Sequence, residues 1–123
     1  MELGRRQVLE YLAATPLIVT PALAGPQRAN HMYGLIVKLT AAAGKREDLV
    51  SILKESAVDM PGCISYVVAK DSVDENVIWV TEVWDSVASH DASLLLPSVK
   101  NAMPRAKVLI SAFDKMAVTT PVG

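Results

Sequence analysis

Cysteine and histidine are nearly absent from this sequence, and their scarcity removes whole classes of function. Cys63 is the only cysteine among 123 residues. Neither an intramolecular disulfide nor a cysteine-built metal cluster can therefore form within one chain. His31 and His90 are the only histidines, too few for a multi-histidine metal site. An excess of one charge is lacking too: the formal net charge is −1, with Lys and Arg scattered along the chain. Nucleic acid or an anionic membrane would need a basic face, and none is visible. Internal repeats and low-complexity stretches are also missing. The length leaves room for one domain and a tail. Without a leader, roughly 95 residues would bury about two-thirds of their unfolded surface. A domain of that size is only modestly stable alone, which favours a dimer.

The first 24 residues carry the three parts of a secretory leader. Arg5 and Arg6 supply positive charge, Tyr11 to Ala24 is largely apolar, and Ala22-Leu23-Ala24 has the small-x-small form of a cleavage site. Arg5-Arg6-Gln7-Val8-Leu9 resembles the twin-arginine export motif, although Gly4 and Glu10 depart from it. The apolar run is too short for a membrane span of about 20 residues, and Pro16 and Pro21 interrupt it. Export to the periplasm is the expectation if the leader functions, with no membrane association after its removal. A short amphipathic helix, or a true start at Met32 in a cytoplasmic protein, is the alternative. Residues 25–31 read as a linker, 32–118 as the domain and 119–123 as a tail.

Within the domain, Met32 to Thr40 is aliphatic and β-branched, with Lys38 its only charge, and reads as a strand. Gly44 ends the turn that follows. Leu49, Ile52, Leu53, Ala57 and Met60 then fall on one helical face, and Glu47 and Asp48 suit the helix start. Pro61-Gly62 is the expected stop. Cys63 to Lys70 and Val77 to Trp84 are the next two strands, joined by the acidic, turn-prone loop Asp71 to Asn76. Asp85-Ser86 caps a second helix running to about Leu96. Pro97 opens a further short helix, Pro104 ends it, and Lys107 to Val118 is the last strand. The order is β-α-β-β-α-β, an α+β, ferredoxin-like pattern with an antiparallel sheet.

Pro61-Gly62-Cys63-Ile64-Ser65-Tyr66 followed by Ile78-Trp79-Val80-Thr81-Glu82-Val83-Trp84-Asp85-Ser86 resembles the antibiotic biosynthesis monooxygenase family, which includes quinol monooxygenases. The likeness extends to Met32-Tyr33-Gly34-Leu35, to Gly44, and to Leu94 to Val99 with Pro97. It implies a ferredoxin-like protomer pairing with a second copy as a dimeric α/β barrel. It also implies oxidation of quinol-like or polycyclic phenolic substrates by O₂, with no metal or flavin cofactor. Where many relatives carry a histidine nine residues after the tryptophan, this chain has Ser93.

Ground-state O₂ is a triplet and reacts slowly with closed-shell molecules, so such an enzyme must make its substrate a strong electron donor. Ionising a phenol does this, and demands an apolar cavity with a proton acceptor and groups that stabilise the anion. Ile78, Val80, Glu82 and Trp84 share one face of a strand. Glu82 on that face needs a partner, or handles protons with a raised pKa; a structural ion pair or a bond to a helix end is the alternative. His90 is the natural base near neutral pH, against a solvated or merely packed imidazole. Tyr66 is a candidate donor to a phenolate oxygen, Tyr33 a weaker one, and Trp84 a stacking wall or simply core. Trp79 faces the other way, toward the core or a dimer interface. Cys63 reads as an inert buried thiol. Arg105 and Lys107 read as a solvated turn, or as cations at the cavity mouth.

Two functions from different classes follow: a cofactor-independent oxygenase, and a non-catalytic dimer that binds a small apolar ligand. Resembling relatives that degrade haem use an Asn on the first strand and a Trp and His on the second helix. Met32 to Thr40 has no Asn and no Trp follows Trp84, so haem is not the expected substrate. If the chain is exported, the mature protein begins at Gly25. N-terminal sequencing of protein from its native host tests this, and recovery of Met1 or Met32 would reject cleavage.

Overall fold

The computed structural model describes residues 31–123; the leader and nearly all of the linker lie outside the described residues. Strand β1 (Tyr33–Ala41) leads into helix α1 (Arg46–Ser56). The hairpin β2 (Cys63–Lys70) and β3 (Val77–Trp84) follows, then α2 (Val87–Ser93), α3 (Pro97–Lys107) and β4 (Ile110–Thr119). The strands form one antiparallel sheet in the order β2-β3-β1-β4. This is the expected ferredoxin-like arrangement, with the second crossover built from two helices. No described helix is long and apolar enough to cross a membrane.

The alternation of β1 decides where the core lies. Leu35, Val37, Leu39 and Ala41 are buried on the helix side, opposite Glu82, Val80 and Ile78 of β3. Leu49 and Ile52 of α1 and Ala102 and Ala106 of α3 close over them. Burying each large aliphatic side chain is worth about 1.5–3 kcal/mol. The alanines let α3 lie close to α1.

Three boundaries differ from expectation. Helix α1 ends at Ser56, not at Pro61. Its last turn tightens, with the Ala57 amide bonding to the Lys54 carbonyl and Asp59 at φ 52, so Met60 lies in the following loop rather than on the helix. Helix α2 ends at Ser93 rather than Leu96. Pro104 lies inside α3, which continues to Lys107 and delays β4 to Ile110. Pro104 is solvent-exposed, so water can satisfy the carbonyl it leaves free, while Ala102 and Ala106 stay packed and carry the helix past it.

The two ends of β3 are fastened differently. At its start, Arg46 Nη1 donates to the carbonyls of Asp71, Asp74 and Val77 at 3.2, 2.9 and 3.3 Å. The Asp71 carboxylate accepts from the amides of Val73 and Asp74 and from Trp79 Nε1. These bonds, the Asp74 amide foremost, hold the Asp71 carboxyl down at about 2. Trp79 is thus tied to the hairpin loop rather than buried in the core. At the other end, the Asp85 amide bonds to the Gly62 carbonyl at 2.8 Å, and Ser86 caps α2 by accepting the Ser89 amide.

Gly62 is at φ +85, and a Cβ there would lie 2.4 Å from Ser89 Oγ and 2.8 Å from Asp85 Oδ1. Any side chain at 62 would push against the first turn of α2. Gly62→Ala should therefore cost about 1–3 kcal/mol, at about 4–8 °C per kcal/mol for a domain this small. An unchanged melting temperature would show that the turn relaxes freely.

A candidate active site beneath the helices

Between the sheet and the three helices lies a cavity of about 110 Å³. Val37, Leu39, Ile52, Met103 and Phe113 are among its apolar walls. Apart from Ser56 of α1, its polar groups are set by the strands and by α2.

Glu82 follows Val80 on the buried face of β3. Its Oε1 accepts a 2.9 Å hydrogen bond from the indole Nε1 of Trp84, a side chain only 1% exposed. The alternative of a bond to a helix end is not what the fold uses. Burial raises the Glu82 carboxyl above its ordinary value, while the Trp84 bond and the charge of His90 pull it back. Trp84 is both core and cavity wall.

Tyr66 reaches the same place through an irregularity in β2. Cys63 pairs with Trp84, but Ser65 pairs with Val83, so Ile64 is an extra residue. This bulge turns Tyr66, rather than Ser65, onto the face of Glu82 directly opposite. Burial, then the nearby Glu82 charge, pushes the Tyr66 hydroxyl up. It therefore stays protonated, as a hydrogen-bond donor. Cys63 is half-buried, donates to the Ser65 carbonyl at 3.6 Å, and is raised by burial and by Glu82. A thiol held protonated is a poor nucleophile.

His90 sits on α2 and is 6% exposed, so it is not a solvated imidazole. Its ring meets Trp84 edge-on at 5.6 Å and Tyr33 at 5.2 Å and 55°. Its Nδ1 lies 3.1 Å from Asp91 Oδ1. Ser93 Oγ donates to the His90 carbonyl at 2.6 Å, fixing the backbone that carries the ring. Burial, then the charges of Asp91 and Glu82, raises the Tyr33 hydroxyl.

His90, Glu82, Tyr66 and Trp84 thus line one cavity. Arg105 does not join them: it lies in α3, paired with Glu55 and Asn101, and neither it nor Lys107 lines the cavity or forms a turn. Tyr33, a weak candidate from sequence, and Asp91, which carries no sequence signal, both contact His90. Neighbouring residues on a helix do not normally face each other, so the pairing of His90 with Asp91 left no periodic signal.

The arrangement offers a buried carboxyl, an imidazole and a phenol around an apolar space. It can take a proton from a bound ligand and place donors beside the resulting anion.

The family model for antibiotic biosynthesis monooxygenases matches residues 32–105. A Chloroflexus aurantiacus protein, itself proposed to be such a monooxygenase, is 55% identical, with a TM-score of 0.73 over 75% of this chain and 94% of that one. SnoaB of Streptomyces nogalater, a cofactor-independent oxygenase, is 13% identical, with a TM-score of 0.64 over 76% and 95%. A protein from Caulobacter crescentus, also proposed to be an antibiotic biosynthesis monooxygenase, is 18% identical, with a TM-score of 0.70 over 79% and 95%. The last two similarities concern the fold alone. A comparison with curated proteins finds no match. On the span of the family model and the 55% identity, this chain belongs to the antibiotic biosynthesis monooxygenase family.

Proposed function

We propose that this protein is a cofactor-independent monooxygenase that oxidises a quinol-like or polycyclic phenolic substrate with O₂. The observation that carries the proposal is the grouping of Glu82, Trp84, His90 and Tyr66 on one apolar cavity. An apolar ring is drawn in by burial, and its hydroxyl finds polar partners only among such groups. His90 is the base, with Glu82 the other candidate for that role. Tyr66 donates to the phenolate oxygen, and Trp84 supplies a flat wall.

The ionised substrate gives one electron to O₂, forming superoxide and a phenoxyl radical. Their recombination makes the new C–O bond of a hydroperoxide. Its O–O bond then breaks: one oxygen stays on carbon as a carbonyl, and the other leaves as water with the two hydrogens lost from the substrate. Phenol plus O₂ becomes quinone plus water, and no outside reductant is consumed.

Replacing a general base costs about 10²–10⁴ in rate. His90→Ala should lose quinol-dependent O₂ uptake by that factor while still folding. Glu82→Gln separates chemistry from stability. Because the folded-state pKa of Glu82 is raised, its stabilising influence is complete below the unfolded value of about 4.3 and is lost as pH rises through the folded value. Glu82→Gln should therefore melt no lower than wild type at neutral pH, and its advantage should shrink on acidification. A fall in O₂ uptake with that melting pattern would make Glu82 the base. Near-normal turnover in both variants would refute the base assignments. Wild-type protein that binds quinols but never consumes O₂ would favour a binding module.

We also propose that the functional unit is a homodimer. The sheet face opposite the helices carries Ile36, Val67, Trp79 and Val83 by register. In the single chain Val67 is 52% exposed and Ile64, at the bulge, 57%. Strand β2, whose composition fits burial on both faces, is covered on one only. Light scattering at micromolar concentration should give twice the chain mass; a monomer would refute the pairing.

A further inference from the structure

We infer that Asp91 is the positioning residue for His90, fixing the imidazole with its proton on Nδ1 and its lone pair on Nε2. This rests on the proposed oxygenase chemistry for its consequence, but not for its evidence. His90 Nδ1 and Asp91 Oδ1 are 3.1 Å apart. An ionised carboxylate only accepts hydrogen bonds, so the nitrogen facing it must carry the hydrogen. A neutral imidazole with Nδ1 protonated has its basic lone pair on Nε2. A histidine side chain in water favours the opposite tautomer, so Asp91 reverses the intrinsic preference.

The burial of the two partners suits this division of work. The His90 side chain is 7% exposed and that of Asp91 40%. The carboxylate stays in contact with water, while the ring it holds lies in the cavity wall. Tyr33 from β1 and Trp84 from β3 confine the ring on other sides. Glu82 from β3 also acts on His90. When His90 takes a proton, the imidazolium formed is already paired with Asp91. That is the role of the third member of a nucleophile–base–orienter set.

The test uses full-length protein labelled with ¹⁵N-histidine. Only His31 and His90 report, and a His31→Gln variant assigns the two signals. At a pH where imidazole is neutral, His90 should show protonated Nδ1 and unprotonated Nε2. Asp91→Ala should move it toward the Nε2-protonated form, whereas Asp91→Asn, whose amide oxygen can still accept, should retain the wild-type tautomer. In O₂ uptake, Asp91→Ala should lower kcat by about 10- to 100-fold, by analogy with the loss when the outer partner of a metal-binding histidine is removed. KM should change little, and Asp91→Asn should lie between. A wild-type His90 protonated on Nε2, or a spectrum unaltered in Asp91→Ala, would overturn the assignment. If wild type consumes no O₂ with any quinol, the oxygenase proposal fails, and the ¹⁵N spectra alone still decide the role of Asp91.

Discussion

A carboxyl group on the apolar face of a central strand must be paired or kept neutral, and the site is arranged around how Glu82 meets that demand. Left ionised and unpartnered, it would cost several kcal/mol. The partner is two residues along the same strand: Trp84 offers its indole N–H at 2.9 Å, reachable because residues i and i+2 share a face. One neutral donor does not offset the burial, and the Glu82 carboxyl remains raised. Burial chiefly, with the charge of Glu82 adding to it, pushes Tyr66, Cys63 and Tyr33 upward. Burial at this site thus biases these groups toward their protonated, hydrogen-bond-donating forms.

The rest of the scaffold holds a helix over that acid. Gly62 allows the start of β2 to touch the start of α2, and the Asp85 amide closes the contact. Ser86 then sets the first turn of α2, and four residues later His90 arrives against Trp84. At the far end of β3, Arg46 and Asp71 gather the hairpin loop into a network of backbone bonds. The strand carrying Glu82 is therefore fastened at both ends.

The sequence made the strands legible because their apolar residues alternate and their ends carry turn residues. The bounds of β2 and β3 are those the composition predicts, and Ser86 and Pro97 act where their chemistry places them. Helix ends were harder. Pro104 looks like a stop, yet packing of Ala102 and Ala106 outweighs one lost hydrogen bond at the surface. The face of Glu82 could be read from its spacing to Val80 and Trp84. The face of Tyr66 could not, since a strand without a bulge would have turned Ser65 inward. His90 was visible as a residue type. Its clamp of Tyr33, Trp84 and Asp91 joins β1, β3 and adjacent positions on α2, contacts that only tertiary structure creates.

Charge accounting links these features to the proposed chemistry. A phenol that hands its proton to His90 leaves a phenolate beside an imidazolium, with Asp91 on the imidazolium's far side. Asp91 is partly exposed, so water screens its charge and the phenolate feels it weakly. Glu82 is inside, and were it ionised it would oppose the phenolate in a medium that screens little. Burial raises the Glu82 carboxyl and so works against that ionisation. Burial likewise raises the Tyr66 hydroxyl, which presents a donor to the anion. Both shifts have one cause: an apolar cavity disfavours any negative charge beyond the one the substrate brings.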